Sequence, residues 1–171
     1  MRKKSKYKPK PVIPDVMRWI KGGMTRAADL DGGSIITRTG ITNHLAIEAL
    51  RRGEASKEDI DTLINAFNVT EALAVMRIGE DYSAEIRAAQ DALYQMGVRS
   101  IAKGKFLCTG PELVAINLGM EIHDAQLQVC TVAEMEKALD YVWQQIKLKK
   151  VRRIPVPVDD GGVALPPYGG G

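Results

Sequence analysis

The sequence predicts a central helix between Thr109 and Cys130, where it reads TGPELVAINLGMEIHDAQLQVC. Thr109 precedes Glu112 by three residues, which is the spacing of a capping box, and Pro111 suits a first helical turn. On a helical projection the apolar side chains form two stripes. The first stripe contains Leu113, Ile116, Met120 and Leu127. The second stripe contains Val114, Leu118, Ile122, Ala125 and Val129. We expect other helices to pack on both stripes.

A narrow polar seam separates the two apolar stripes. It consists of Asn117, Glu121, Asp124 and Gln128. Inward carboxylates in helical bundles can hold metal ions, but the recurring pattern pairs a glutamate with a histidine three residues later. Here His123 follows Glu121 by two residues and points to a different face of the helix. We therefore expect a solvated or interface face, with no metal and no cofactor.

Four more helices are predicted from apolar periodicity and from end signals. They cover residues 41–52, 57–76, 84–102 and 132–146. The expected caps are Ser56, Ser83 and Thr131 at the N-termini, and Gly53 and Gly104 at the C-termini. The last helix is expected to bury Met135, Leu139, Val142, Trp143 and Ile146. Short connections between these helices favour antiparallel neighbours.

The predicted fold is all-α: a compact bundle of about five helices in one domain over residues 15–150. A short helical turn at 16–21, anchored by Trp19, precedes the bundle. Residues 24–40 have no sustained period and predict a loop or a small hairpin. The turn would be Asp31-Gly32 and the strand Ile35-Ile36-Thr37. Residues 1–14 predict a flexible basic arm, and residues 151–171 predict a disordered tail rich in proline and glycine.

Cysteine usage and hydropathy indicate the class of protein. Cys108 and Cys130 bracket the central helix, whose length keeps their Cα atoms well beyond the roughly 7 Å limit of a disulfide. They lack the spacing of a metal site, so we expect two reduced thiols in a cytoplasmic protein. No apolar run reaches the roughly 18 residues needed to cross a bilayer, and we expect no membrane association.

The net charge of +3 hides a strong asymmetry along the chain. Residues 1–10 carry six basic residues, and residues 147–153 carry five, without an acid in either segment. The remainder, residues 11–146, has a net charge near −6. Basic ends favour a polyanionic partner, and Tyr7 could stack on a base. The predicted nucleic-acid contacts are Arg2, Lys3, Lys4, Lys6, Tyr7, Lys8, Lys10, Lys149, Lys150, Arg152 and Arg153.

The basic ends have a second interpretation, because basic ends also occur simply as solvated tails. No helix-turn-helix is predicted, because the second helix begins with the acids Glu58, Asp59 and Asp61, where a recognition helix would meet DNA.

His44 and His123 are expected to be structural, although an enzyme could use both of them together with Asp124 if the three met in one pocket. No phosphate-binding loop or nucleophile motif is found.

The chain resembles a group of small phage- and prophage-encoded proteins without an assigned activity. The likeness covers residues 3–150. It rests on Lys6-Tyr7-Lys8-Pro9, Asn43-His44, Asp61-Thr62-Leu63-Ile64, Thr70-Glu71-Ala72-Leu73 and Met120-Glu121-Ile122-His123-Asp124-Ala125-Gln126. The resemblance implies a bacterial cytoplasm and a protein that modulates host machinery, and it supplies no catalytic residue.

These observations predict a non-catalytic, regulatory binding protein of phage type. Its expected partner is nucleic acid or a host protein that processes nucleic acid, contacted through the basic arm. A homo-oligomer is compatible with the sequence. The alternative is an inhibitor of a host defence, replication or transcription enzyme, with the acidic helical body imitating nucleic acid.

Overall fold

A computed structural model describes residue 23 and residues 25–151 of the chain. The described residues form five α-helices and no β-strand. The helices are α1 (Ser34–Arg52), α2 (Lys57–Val75), α3 (Ser83–Lys103), α4 (Gly110–Val129) and α5 (Val132–Lys147). Short 3-10 segments at Ala27–Gly33 and Glu80–Tyr82 precede α1 and α3. The prediction of an all-α bundle is confirmed. The predicted arm at 1–14, the helical turn at 16–21 and the tail beyond Val151 lie outside the described residues.

The capping boxes predicted at the starts of α4 and α5 are present, and the N-cap predicted at Ser56 of α2 is also part of a capping box. At α4 the Thr109 amide donates to Oε2 of Glu112 over 2.8 Å, and the Glu112 amide donates back to Oγ1 of Thr109. Each box satisfies backbone amides that have no partner within the helix. The cap predicted at Ser83 is wrong. Its hydroxyl donates to the carbonyl of Glu80 over 2.6 Å, because the 3-10 segment runs directly into α3 and Ser83 already has helical dihedrals.

The loop or hairpin predicted for residues 24–40 is wrong from Ser34 onwards, because α1 begins there and continues through the predicted strand. The turn at Asp31 and Gly32 does exist, with φ of 52° and 62°. Ile36 packs against the apolar cluster that contains Leu127. This burial outweighs the strand preference of adjacent β-branched residues.

The main core lies among the first four helices. Its fully buried side chains include Leu50, Leu63, Phe67, Leu93, Met96, Ile116 and Met120. Helices α3 and α4 approach closely at Gly119, where an added Cβ would lie 2.6 Å from Cβ of Ala89. A glycine is therefore required for this helix crossing.

The central helix α4 buries only one of its two predicted apolar stripes. Ile116, Met120 and Leu127 are buried, as the sequence predicts. In the second stripe only Ile122 is buried, whereas Val114 is 67% and Val129 is 61% exposed. The reason is that α5 packs mainly on α2 and leaves this side of α4 uncovered.

The burial predicted for α5 is correct only in part. Ala138 is fully buried, and Met135 and Val142 are partly buried. Leu139, Trp143 and Ile146 are exposed, against the prediction. Because α5 contacts the bundle along one narrow side, much of its apolar face lies at the surface.

The backbone before α1 is attached to the junction of α4 and α5. The amide of Ala27 donates to the carbonyl of Cys130 over 2.8 Å, and the amide of Val132 donates to the carbonyl of Thr25 over 2.9 Å.

Both cysteines are free thiols, and burial raises the pKa of Cys108 to about 11. Within the described part of the chain, none of the helices combines the length and apolar character needed to span a bilayer.

Candidate functional site

A groove of about 520 Å³ lies where α1, α2, α4 and the start of α5 meet. Its walls are mostly apolar, with contributions from every one of these helices. The apolar lining includes Ile35, Ile36, Ala66, Val69, Leu127, Met135 and Leu139. Polar side chains at the groove include Asn43 and His123, which are both buried. A concave apolar surface with a few polar groups is the usual form of a ligand site.

His123 of α4 is fixed by a hydrogen bond to Thr70 of α2. The distance between Nδ1 of His123 and Oγ1 of Thr70 is 2.8 Å. The only hydroxyl hydrogen of Thr70 is directed to the carbonyl of Ala66, 2.9 Å away. Thr70 must therefore accept from Nδ1–H of His123, which leaves Nε2 of the neutral imidazole as a hydrogen-bond acceptor. This Nε2 atom is buried and has no partner among the described residues.

The protonation state of His123 follows from its position. Burial lowers its pKa to about 4, because a charged imidazole would lose its hydration. The carboxylate of Asp124 opposes this shift, and His44 adds to it. His123 is consequently a neutral imidazole near pH 7, and its charge does not change close to neutrality.

Asn43 of α1 supplies the second buried polar group. Its side chain is only 3% exposed, as is that of His123. The amide nitrogen Nδ2 has no acceptor in the part of the chain that the structure describes. Asn43 and His123, which both line the groove, therefore carry one donor and one acceptor that have no partner among the described residues. Each such atom costs about 1–3 kcal/mol when it stays unpaired in the interior.

His44 and Asp124 form a contact between α1 and α4 next to this groove. Nε2 of His44 lies 2.8 Å from Oδ2 of Asp124. The two side chains are 58% and 39% exposed, so water screens the pair. Exposed pairs of this kind contribute at most about 1 kcal/mol to stability.

The structure does not bring together all three residues that an enzyme would use in one pocket. His44 and Asp124 meet, but the ring of His123 is bonded to Thr70 in the interior. The other seam residues, Asn117, Glu121 and Gln128, are exposed, as predicted for a solvated face. No cluster of three or more metal-binding side chains occurs within the described ranges.

Of the predicted nucleic-acid contacts, only Lys149 and Lys150 fall within the described residues. Both are exposed just after α5. The other nine contacts lie outside the described residues. They are Arg2, Lys3, Lys4, Lys6, Tyr7, Lys8, Lys10, Arg152 and Arg153.

Sequence reasoning missed the roles of Asn43 and Thr70. A signal for Asn43 was present, because it precedes the buried residues Ala46 and Leu50 by three and seven positions and so shares their helix face. Thr70 likewise follows the buried residues Leu63 and Phe67 by seven and three positions. A polar residue on an apolar helix face requires a partner, and this requirement predicts a buried polar site.

No protein-family model, curated protein or solved structure matches this chain. The resemblance to phage-encoded proteins therefore stays a prediction.

Proposed function

We propose that this chain is a non-catalytic helical binding protein whose basic ends contact nucleic acid or a protein complex that processes it. The setting proposed for this activity is the cytoplasm of a bacterial host of a phage. The observation that carries the proposal is the separation of charge. Residues 25–146, all in the described bundle, contain 11 basic and 18 acidic residues, so the bundle itself repels a polyanion.

The end of α5 is where the second basic run leaves the bundle. Lys147, Lys149 and Lys150 are exposed there, within a few residues of each other. Lys149 has a left-handed conformation with φ of 56°, and the chain turns so that Val151 lines a cleft with Tyr141 of α5. Lysines grouped in this way can neutralise successive phosphates without reading their sequence.

The geometry of the histidines favours binding over proton-transfer catalysis. A general base must exchange a proton near the working pH and must reach a substrate. His123 is neutral, and its Nδ1 is held by Thr70. The pair of His44 and Asp124 is open to water, which weakens its electrostatic effect.

The test compares the full chain with a variant that lacks residues 1–11 and with the double variant Lys149→Gln, Lys150→Gln. Fluorescence anisotropy with random-sequence DNA and RNA would measure the affinity at several salt concentrations. We expect the logarithm of the affinity to fall linearly with the logarithm of the salt concentration, with a smaller slope for both variants.

The matched control is Lys103→Gln, Lys105→Gln, which removes two exposed charges near the end of α3. It should keep the affinity and the salt dependence of the full chain. Absence of binding, or binding that responds neither to salt nor to the deletion, contradicts the proposal.

A second candidate function, inhibition of a host enzyme through protein contact, is favoured by the uncovered stripe of α4. Val114, Leu118 and Val129 are exposed on an acidic bundle. Exposed apolar groups in a patch are typical of protein interfaces. Pull-down from a nuclease-treated bacterial lysate should then recover one protein, and Val114→Ser, Leu118→Ser should release it. The control Val98→Ser, Ile101→Ser changes two exposed apolar residues of α3 and should retain it.

A further inference from the structure

We propose that the groove between α1, α2, α4 and α5 binds a small uncharged molecule in which a secondary amide joins two apolar groups. The amide N–H would donate to Nε2 of His123, and the amide oxygen would accept from Nδ2 of Asn43. This site is separate from the basic ends, and it does not depend on binding to nucleic acid.

The acceptor half of the site is defined by the neighbours of His123. Thr70 uses its hydrogen for the carbonyl of Ala66, so the imidazole hydrogen lies on Nδ1 and the lone pair lies on Nε2. The side chain of His123 is buried, and Nε2 has no donor within the described residues. A ligand group that reaches this atom can therefore donate a hydrogen bond to it.

The donor half of the site is Nδ2 of Asn43. This atom is also buried without an acceptor in the described chain, and Asn43 lines the same groove as His123. Two other buried polar atoms also have no hydrogen-bond partner among the described residues. They are Oε2 of Glu85 and Oε1 of Gln126, and neither residue lines this groove. Asn43 and His123 thus supply the one pair of buried donor and acceptor atoms without a partner among the described residues that line this groove; its other polar lining residues are Arg38, Thr39, Thr42, Thr62 and Asn65.

The size and polarity of the groove indicate the rest of the ligand. A volume of about 520 Å³ lies within the usual range of small-molecule sites and far exceeds the roughly 30 Å³ of one water molecule. Its walls come from side chains such as Val69, Leu127 and Met135, which favour alkyl groups. A charged group at the buried end would lose its hydration, so the ligand part that contacts Asn43 and His123 is neutral.

The first test uses three probes of matched shape with the full chain. They are N-propylbutanamide, its N-methylated tertiary amide, which lacks the donor, and propyl butanoate, which replaces the N–H by oxygen. Nitrogen-15 NMR of the imidazole and of the asparagine side chain would report contact at Nε2 of His123 and Nδ2 of Asn43. We expect binding on the order of millimolar for the secondary amide. The other two probes should bind about fivefold more weakly or worse, since each loses a hydrogen bond.

The second test uses variants of the two helices that supply the polar atoms. Asn43→Leu keeps the size of the side chain and removes the donor, so the secondary amide should lose about fivefold in affinity. His44→Gln changes the exposed neighbour of Asn43 and should leave the affinity unchanged. The proposal is overturned if the three probes bind equally, if shifts appear away from the groove, if Asn43→Leu binds like the original chain, or if no probe binds up to its solubility.

Discussion

The hydroxyl of Thr70 accepts a hydrogen bond from Nδ1 of His123 and donates one to the carbonyl of Ala66. A single side chain in α2 thereby sets the tautomer of a histidine in α4. The consequence is that Nε2 of His123, a residue that lines the groove, is a hydrogen-bond acceptor. The stability and the pH response of the bundle should both depend on this arrangement.

Replacing the hydroxyl of Thr70 by a methyl group should destabilise the protein. Thr70→Val keeps the shape but leaves Nδ1–H of the buried imidazole without an acceptor, which costs about 1–3 kcal/mol. Urea unfolding would measure the loss in the free energy of unfolding. Thr62→Val is the matched control, since Thr62 also donates to the carbonyl four residues earlier but is not bonded to a histidine. If both variants lose the same amount, the bond to His123 contributes nothing to stability.

The stability of the protein should fall as the pH decreases from 6.5 to 4. Burial lowers the pKa of His123 in the folded protein from 6.5 to about 4, so across this interval the unfolded chain binds a proton that the folded chain does not. The free energy of unfolding therefore decreases with falling pH, by up to about 3 kcal/mol from this residue. Urea unfolding at several pH values would show the slope. His123→Gln should remove this part of the slope and His44→Gln should keep it; an unchanged slope in His123→Gln contradicts the assignment.

Two glycines in helix interiors should respond to alanine in opposite directions. A Cβ at Gly119 would lie 2.6 Å from Cβ of Ala89 and 3.1 Å from Cε1 of Phe67, so Gly119→Ala must separate α3 from α4. Overpacking of this kind costs about 1–3 kcal/mol. Gly40 of α1 has nothing within 4 Å of its added Cβ, and Gly40→Ala should stabilise by about 0.5–1 kcal/mol through helix propensity. Thermal unfolding of the two variants would show shifts of opposite sign; the same sign in both would contradict the packing at Gly119.

The sequence predicts best those features that depend on neighbouring residues. Thr109 and Glu112 form their capping box because the spacing alone brings each side chain to the other's amide. Gly53 and Gly104 end their helices for an equally local reason, the low cost of a left-handed conformation. All three features are predicted without knowledge of the fold.

Features that depend on which helices touch are predicted poorly. Val114 and Ile122 belong to the same apolar stripe, yet Ile122 is buried with Ala74 and Ile86. Val114 is exposed because α5 packs on α2 rather than on this side of α4. Ile36 has the preference of a strand and becomes helical because it packs near Leu127. The candidate site has the same origin: the contact of His123 with Thr70 joins residues 53 positions apart, which no local pattern encodes.

The buried amide of Asn43 should make the bundle less stable than an apolar side chain at the same place. Its Nδ2 atom has lost water without gaining an acceptor among the described residues, so Asn43→Leu should raise the free energy of unfolding by about 1 kcal/mol. Urea unfolding would measure the gain. Asn65→Leu changes an exposed asparagine of the same groove and should stay within about 0.5 kcal/mol of the original protein. A loss of stability in Asn43→Leu would show that this amide already has a partner in the folded protein in solution. A gain would mean that the position keeps a polar group at the expense of stability, which is the pattern expected where a residue serves binding.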